Sequence, residues 1–189
     1  MSVYNFHLVD HVLRSLPEVW GEGTAYVVGL YLKEFFDEVC TSPSTSFASS
    51  DFHWNTAAEY LRPPEVVIHF LTEKSDSLVR KISSGAQLGP GGTTRIHASG
   101  NLSEVYVRES LVAMGGGADI ARGLAVLAFH EAMHNKLQLG NSLHSKGGGG
   151  MAATTVYANT ELNQPNIAKM AKALETAVPQ NTEYMSTSP

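Results

Sequence analysis

Hydrophobic spacing divides the chain into helices, then strands, then helices. Leu8, Val9, Val12, Leu13 and Leu16 recur at helical spacing and Pro17 marks a stop, so the first expected element is a helix. After a break at Gly21 to Gly23, Ala25 to Val39 reads as a second helix with Val28, Leu32, Phe35 and Phe36 as its buried stripe. Residues 41–51 are polar and read as a loop. Glu65 to Leu71, introduced by Pro63-Pro64, is β-rich and short, the pattern of a strand. Ser77 to Ser83 reads as a brief helix and Gly85 to Gly92 as a turn region. Thr93 to His97 and Glu104 to Arg108 are two further strand candidates. In the second, Val105 and Val107 alternate with Glu104, Tyr106 and Arg108, as in a half-exposed strand. Asp119 suits the N-cap of a helix running to about Leu139, with Gly140 as its stop. A last helix is expected over Asn166 to Thr176. The order predicts an α+β fold: one domain over residues 1–178 with a small mixed sheet, and a loose polar tail over 179–189.

Composition narrows the classes of function. The chain has 189 residues, 43% apolar and 16% charged, enough apolar content for a buried core. Thirteen basic against eighteen acidic side chains leave a formal charge of −5, and no basic run occurs, which argues against nucleic acid as the main partner. No stretch reaches the apolar length of a membrane span, and the N-terminus lacks the pattern of a signal peptide. The plain reading is therefore a cytoplasmic protein without a membrane partner; a mature fragment, or a protein exported without such a signal, would read the same. Cys40 is the single cysteine, so neither an intramolecular disulfide nor a cysteine-rich zinc site can form, and a small buried hydrophobe is its expected role.

The chemistry concentrates in residues 130–134, His-Glu-Ala-Met-His. The preceding Leu124 to Phe129 is apolar all round, so this helix should be buried, and a buried helix has no favourable place for two imidazoles and a carboxylate unless something satisfies them. At about 100° per residue, His134 sits about 40° round from His130 and one turn along, while Glu131 diverges by about 100°. Two imidazoles so placed can meet one zinc ion, and Glu131 is better placed to handle a water than to ligate. A third ligand is needed. His144, beyond the turn at Gly140 to Leu143, is the leading candidate and Glu161 its competitor. His7 and His11 also stand four apart, but beside Asp10 on an expected amphipathic helix, where a solvated pair is the better reading.

His130-Glu131-x-x-His134 resembles the zincin metallopeptidases, and a glycine followed by a third histidine resembles their metzincin branch. In that comparison Gly140 and His144 match the family's glycine and third histidine, and Met151 matches the methionine of the turn under the metal. The family places the glycine three and the histidine six residues after the second histidine; here the offsets are six and ten, so the helix is expected to run about one turn longer. The resemblance implies one catalytic Zn2+ on His130, His134 and His144, Glu131 as general base, and a peptide or protein substrate. It also implies a tyrosine after the turn, Tyr157, near the reacting atoms. An edge strand before the active-site helix should bind substrate backbone, and Val105, Tyr106 and Val107 are its expected residues. Two other readings stay open: a zinc-stabilised binding protein that has lost turnover, and a metal-dependent amidase acting on a non-protein substrate.

Overall fold

The computed structural model describes residues 2–14, 24–56, 65–82, 86–96, 101–114 and 119–177. At its centre is a five-stranded mixed sheet of β1 (Ser2–Asp10), β2 (Phe47–Trp54), β3 (Val66–Leu71), β4 (Gly92–Arg95) and β5 (Leu102–Tyr106), in the spatial order β2-β1-β3-β5-β4. β1 runs parallel to β2 and β3, and β3 parallel to β5; β4 forms one edge, antiparallel to β5. Among the described residues six helices accompany the sheet: α1 (Thr24–Cys40), α2 (Leu78–Ile82), α3 (Val107–Met114), α4 (Ile120–Leu137), α5 (Leu143–Lys146) and α6 (Gln164–Leu174). The fold class is α+β, as expected. None of these helices is long and apolar enough to cross a membrane.

Alternation along the strands sorts side chains to two faces. Tyr4, Phe6 and Leu8 of β1 join Ile68, Phe70 and Val105 in the main core, which α1 and α4 cover with Val28, Leu32, Phe36, Leu124, Ala125 and Phe129. The Phe129 ring meets Phe35 and Phe36 edge-on, at centroid distances of 5.7 and 5.1 Å. Each such side chain contributes roughly 1.5–3 kcal/mol on burial, and together they seat α4 against the sheet. Leu71, Leu102 and Tyr106 form a smaller cluster with Leu78 and Val79 of α2 on the opposite face. Cys40 is buried in the main core, where burial pushes its thiol up to about 11, in keeping with the inert role expected of it.

Several expectations are corrected. Residues 2–10 form a strand, not the start of a helix: the period-2 set Tyr4, Phe6, Leu8 prevails, and Val12 and Leu13 are buried in the turn that follows. The Asp10 carboxylate sets that turn by accepting from the backbone N–H groups of Val12, at 2.8 Å, and Leu13. His7 and His11 are accordingly no solvated helical pair. His7 is buried, with Nε2 2.6 Å from Glu65 Oε2, and His11 Nε2 lies 3.2 Å from Nδ1 of the buried His69. Half of the expected 41–51 loop belongs to β2, an edge strand whose polar face is tied to α1 by Ser50 bonding Asp37.

The largest correction concerns the substrate strand. β5 is paired on both sides, so Val105 and Tyr106 have no free edge, and both are fully buried; Val107 is already the first residue of α3, an element the alternation pattern conceals. Glu104 is not solvent-facing either. Its carboxylate accepts from the Ser77 hydroxyl at 2.7 Å, the Tyr106 hydroxyl at 2.8 Å and the Val79 N–H at 2.9 Å, while burial raises its pKa. Among the described residues the edge strand beside β5 is β4, with β2 at the other end of the sheet. Leu16, Pro17, Pro63, Pro64, His97, Gly115 to Gly117 and the expected tail 179–189 lie outside the described residues.

Candidate metal centre

α4 begins where expected. The Asp119 side chain accepts from the Arg122 N–H at 3.0 Å, capping the first turn. The helix then runs buried past Leu124 to Phe129 and carries His130, Glu131 and His134 to the floor of a cleft of about 1370 Å³. It ends earlier than expected, at Leu137. Gln138 takes the left-handed conformation (φ 53°) and its side chain donates to the Asn135 carbonyl at 2.6 Å. The four residues that separate this chain from the metzincin spacing therefore do not lengthen α4; they fall in the turn and in α5. Gly140 does not terminate the helix, and a Cβ built on it meets nothing within 4 Å.

α5 carries His144 back over α4. The His144 ring stacks on His130 at a centroid distance of 5.4 Å and 7° between planes, and stands edge-on to His134 at 5.3 Å. One nitrogen from each of the three rings lies within 4.8 Å of the others. His130 and His134 bring their Nε2 atoms to 3.1 Å. Each ring is oriented through its other nitrogen: His130 Nδ1 donates to the Met151 carbonyl at 2.7 Å, His134 Nδ1 to the Leu139 carbonyl at 2.6 Å, and His144 Nδ1 to the Ala152 carbonyl at 3.3 Å. A carbonyl can only accept, so the Nδ1 atoms hold the protons and the Nε2 lone pairs converge. Burial holds His130 down to about 4 and lowers His134 as well, so these rings are neutral near pH 7. Two bare lone pairs 3.1 Å apart repel unless a cation lies against both. The donor set thus fits a divalent metal with nitrogen preference.

Glu131 points to the edge strand. Its Oε2 accepts from the Thr94 hydroxyl of β4 at 2.6 Å, and Thr94 Oγ1 also lies 3.0 Å from the Glu131 backbone carbonyl and 3.0 Å from Ser103 Oγ. Burial pushes the carboxyl up to about 8; the Thr94 hydrogen bond opposes this and the nearby Glu104 charge adds to it. Gly92 makes the close approach possible, because a Cβ there would stand 2.7 Å from both Glu131 Oε1 and the Glu104 carbonyl.

The other expected residues take different places around the cleft. Met151 is fully buried in a 3-10 turn, Gly150–Ala152, and supplies the carbonyl that holds His130. Tyr157 lies at the cleft wall with 60% of its surface exposed. Glu161 also lines the cleft but stands outside the ligand cluster. Thr94 and Asn166 were not singled out by sequence reasoning. A threonine in a strand candidate and an asparagine near a helix start have ordinary explanations, and no local pattern marks either. No known protein family, curated protein or solved structure matches the chain.

Proposed function

We propose that this chain is a zinc-dependent metallopeptidase of the zincin type. The observation that carries the reading is the convergence of three imidazoles on one point, in a cleft that Glu131 and the edge strand β4 also line. His130, His134 and His144 would hold the ion, which supplies Lewis acidity toward a scissile carbonyl and toward the attacking water. Glu131 accepts the proton of that water and delivers it to the leaving amine nitrogen, so that water and amide become acid and amine. The Thr94 hydroxyl steadies the Glu131 carboxylate. An ion held by the three histidines would counter the effect of burial on Glu131 and favour its ionised, basic form.

Gly92–Arg95 takes the place expected of Val105 to Val107. As an edge strand lining the cleft, β4 can add an extended peptide by main-chain hydrogen bonds. A cleft of about 1370 Å³ suits several peptide residues better than one small metabolite.

One observation favours a metal-stabilised binding protein instead: Glu131 is buried and one of its carboxylate oxygens is already bonded to Thr94. Elemental analysis of the purified chain, paired with Glu131→Ala on a mixed peptide library, separates the two. A peptidase contains zinc and cleaves, and the variant keeps the metal while turnover falls about 10²–10⁴-fold. Zinc without cleavage by the wild-type chain supports the binding protein.

A further inference from the structure

The loop between α5 and α6 has little to hold it by itself. Gly148, Gly149 and Gly150 all have positive φ, at 95°, 71° and 54°, conformations that glycine adopts without favouring. Yet this loop presents the two carbonyls, of Met151 and Ala152, that orient His130 and His144. One side chain closes it. Asn166, fully buried in the first turns of α6, accepts from the Met151 N–H at 3.0 Å and donates to the Gly147 and Gly149 carbonyls, both at 3.0 Å. Asn163, the N-cap of α6, adds a bond to the Gly148 carbonyl at 3.0 Å and itself caps the Asn166 N–H.

We infer that Asn166 is a positioning residue of the metal centre, fixing through one amide the loop that sets the directions of the His130 and His144 rings. The inference rests on the histidine cluster being a metal site, and it places part of the determinant of cation affinity on α6, which contributes no ligand. Partners that orient metal-bound imidazoles are worth about 10–100-fold in affinity. Asparagine is the one residue of its size that meets the loop's demands. Aspartate keeps the acceptor for the Met151 N–H but turns both donors into acceptors facing carbonyls.

The test is the zinc dissociation constant of the full chain, measured by competition with a chromophoric chelator. Wild type, Asn166→Asp, Asn166→Ser and Ile167→Ala are compared, with circular dichroism reporting the fold. Ile167 is buried on the same helix and controls for loosening of α6. Both Asn166 variants should weaken zinc binding about 10–100-fold, while Ile167→Ala lowers the melting temperature and leaves the constant unchanged. A folded Asn166 variant with the wild-type constant overturns the inference, as does equal weakening by Ile167→Ala. Loss of fold in both Asn166 variants also overturns it, since Asn166 would then serve the fold as a whole. A wild-type chain that binds no zinc removes the metal reading, and this inference with it.

Discussion

At Glu131 two opposing effects meet: burial pushes the carboxyl up to about 8, and the Thr94 hydroxyl pulls it down. Thr94→Val keeps the shape and removes the hydrogen bond. Zinc content should be unchanged and kcat on a peptide cleaved by the wild type should fall about 10–100-fold, the range for a partner that orients a reactive group. An unaltered kcat would detach Thr94 from the base. His69 offers a test away from the cleft. Burial, with a smaller contribution from His11, lowers it from 6.5 to about 3. Below pH 6.5 the unfolded chain therefore binds a proton that the folded chain refuses, and stability falls as the pH drops from 6.5 toward 3. The contribution reaches at most about 1.4 kcal/mol per pH unit. Urea midpoints between pH 7.5 and 4.5 should decline less steeply in His69→Leu than in the wild type; parallel curves would show that His69 does not titrate this way.

At the scale of elements, the meeting of β4 and α4 sets the surroundings of Glu131, the proposed base. Gly92→Ala places a methyl against Glu131 Oε1 and the Glu104 carbonyl, so strand or carboxylate must shift. We expect a stability loss of about 1–3 kcal/mol and a fall in kcat with zinc retained, read by denaturant melts and steady-state kinetics. Gly140→Ala should be within about 0.5 kcal/mol of wild type by the same melts, because the space there is open. The glycine most prominent in the motif comparison is thus the dispensable one. Element types were legible wherever one period dominated: α1, β3 and α4 stand close to their expected positions. They failed where two periods coincided, as in Leu8, Val9, Val12 and Leu13, which fit a helix but belong to a strand and its turn. They failed again where alternation met burial on both sides, as in β5 running into α3.

For the whole molecule, the site draws on parts far apart in sequence. β4 bonds the Glu131 carboxyl, α4 and α5 present the imidazoles, and the Met151 loop, tied down by α6, orients two of the rings. His130, Glu131 and His134 were legible because one helical turn fixes their geometry, and His144 because a turn had only to fold back. Which carbonyls orient the rings, and which strand lies open, depend on pairings that local spacing does not encode. Because the ligands converge only when these parts are assembled, zinc should stabilise the folded chain by about 2.7 kcal/mol at a hundredfold excess over its dissociation constant. Thermal melts with and without zinc check this, and His130→Ala should abolish the increment.

The most direct measurement is a calorimetric titration of zinc into the metal-free chain and into His130→Ala, His134→Ala and His144→Ala. One ion should bind each wild-type molecule, with binding lost or greatly weakened in all three variants. A wild-type chain that takes up no ion, or an ion bound as tightly after any of the three histidines is removed, would contradict the three-imidazole centre.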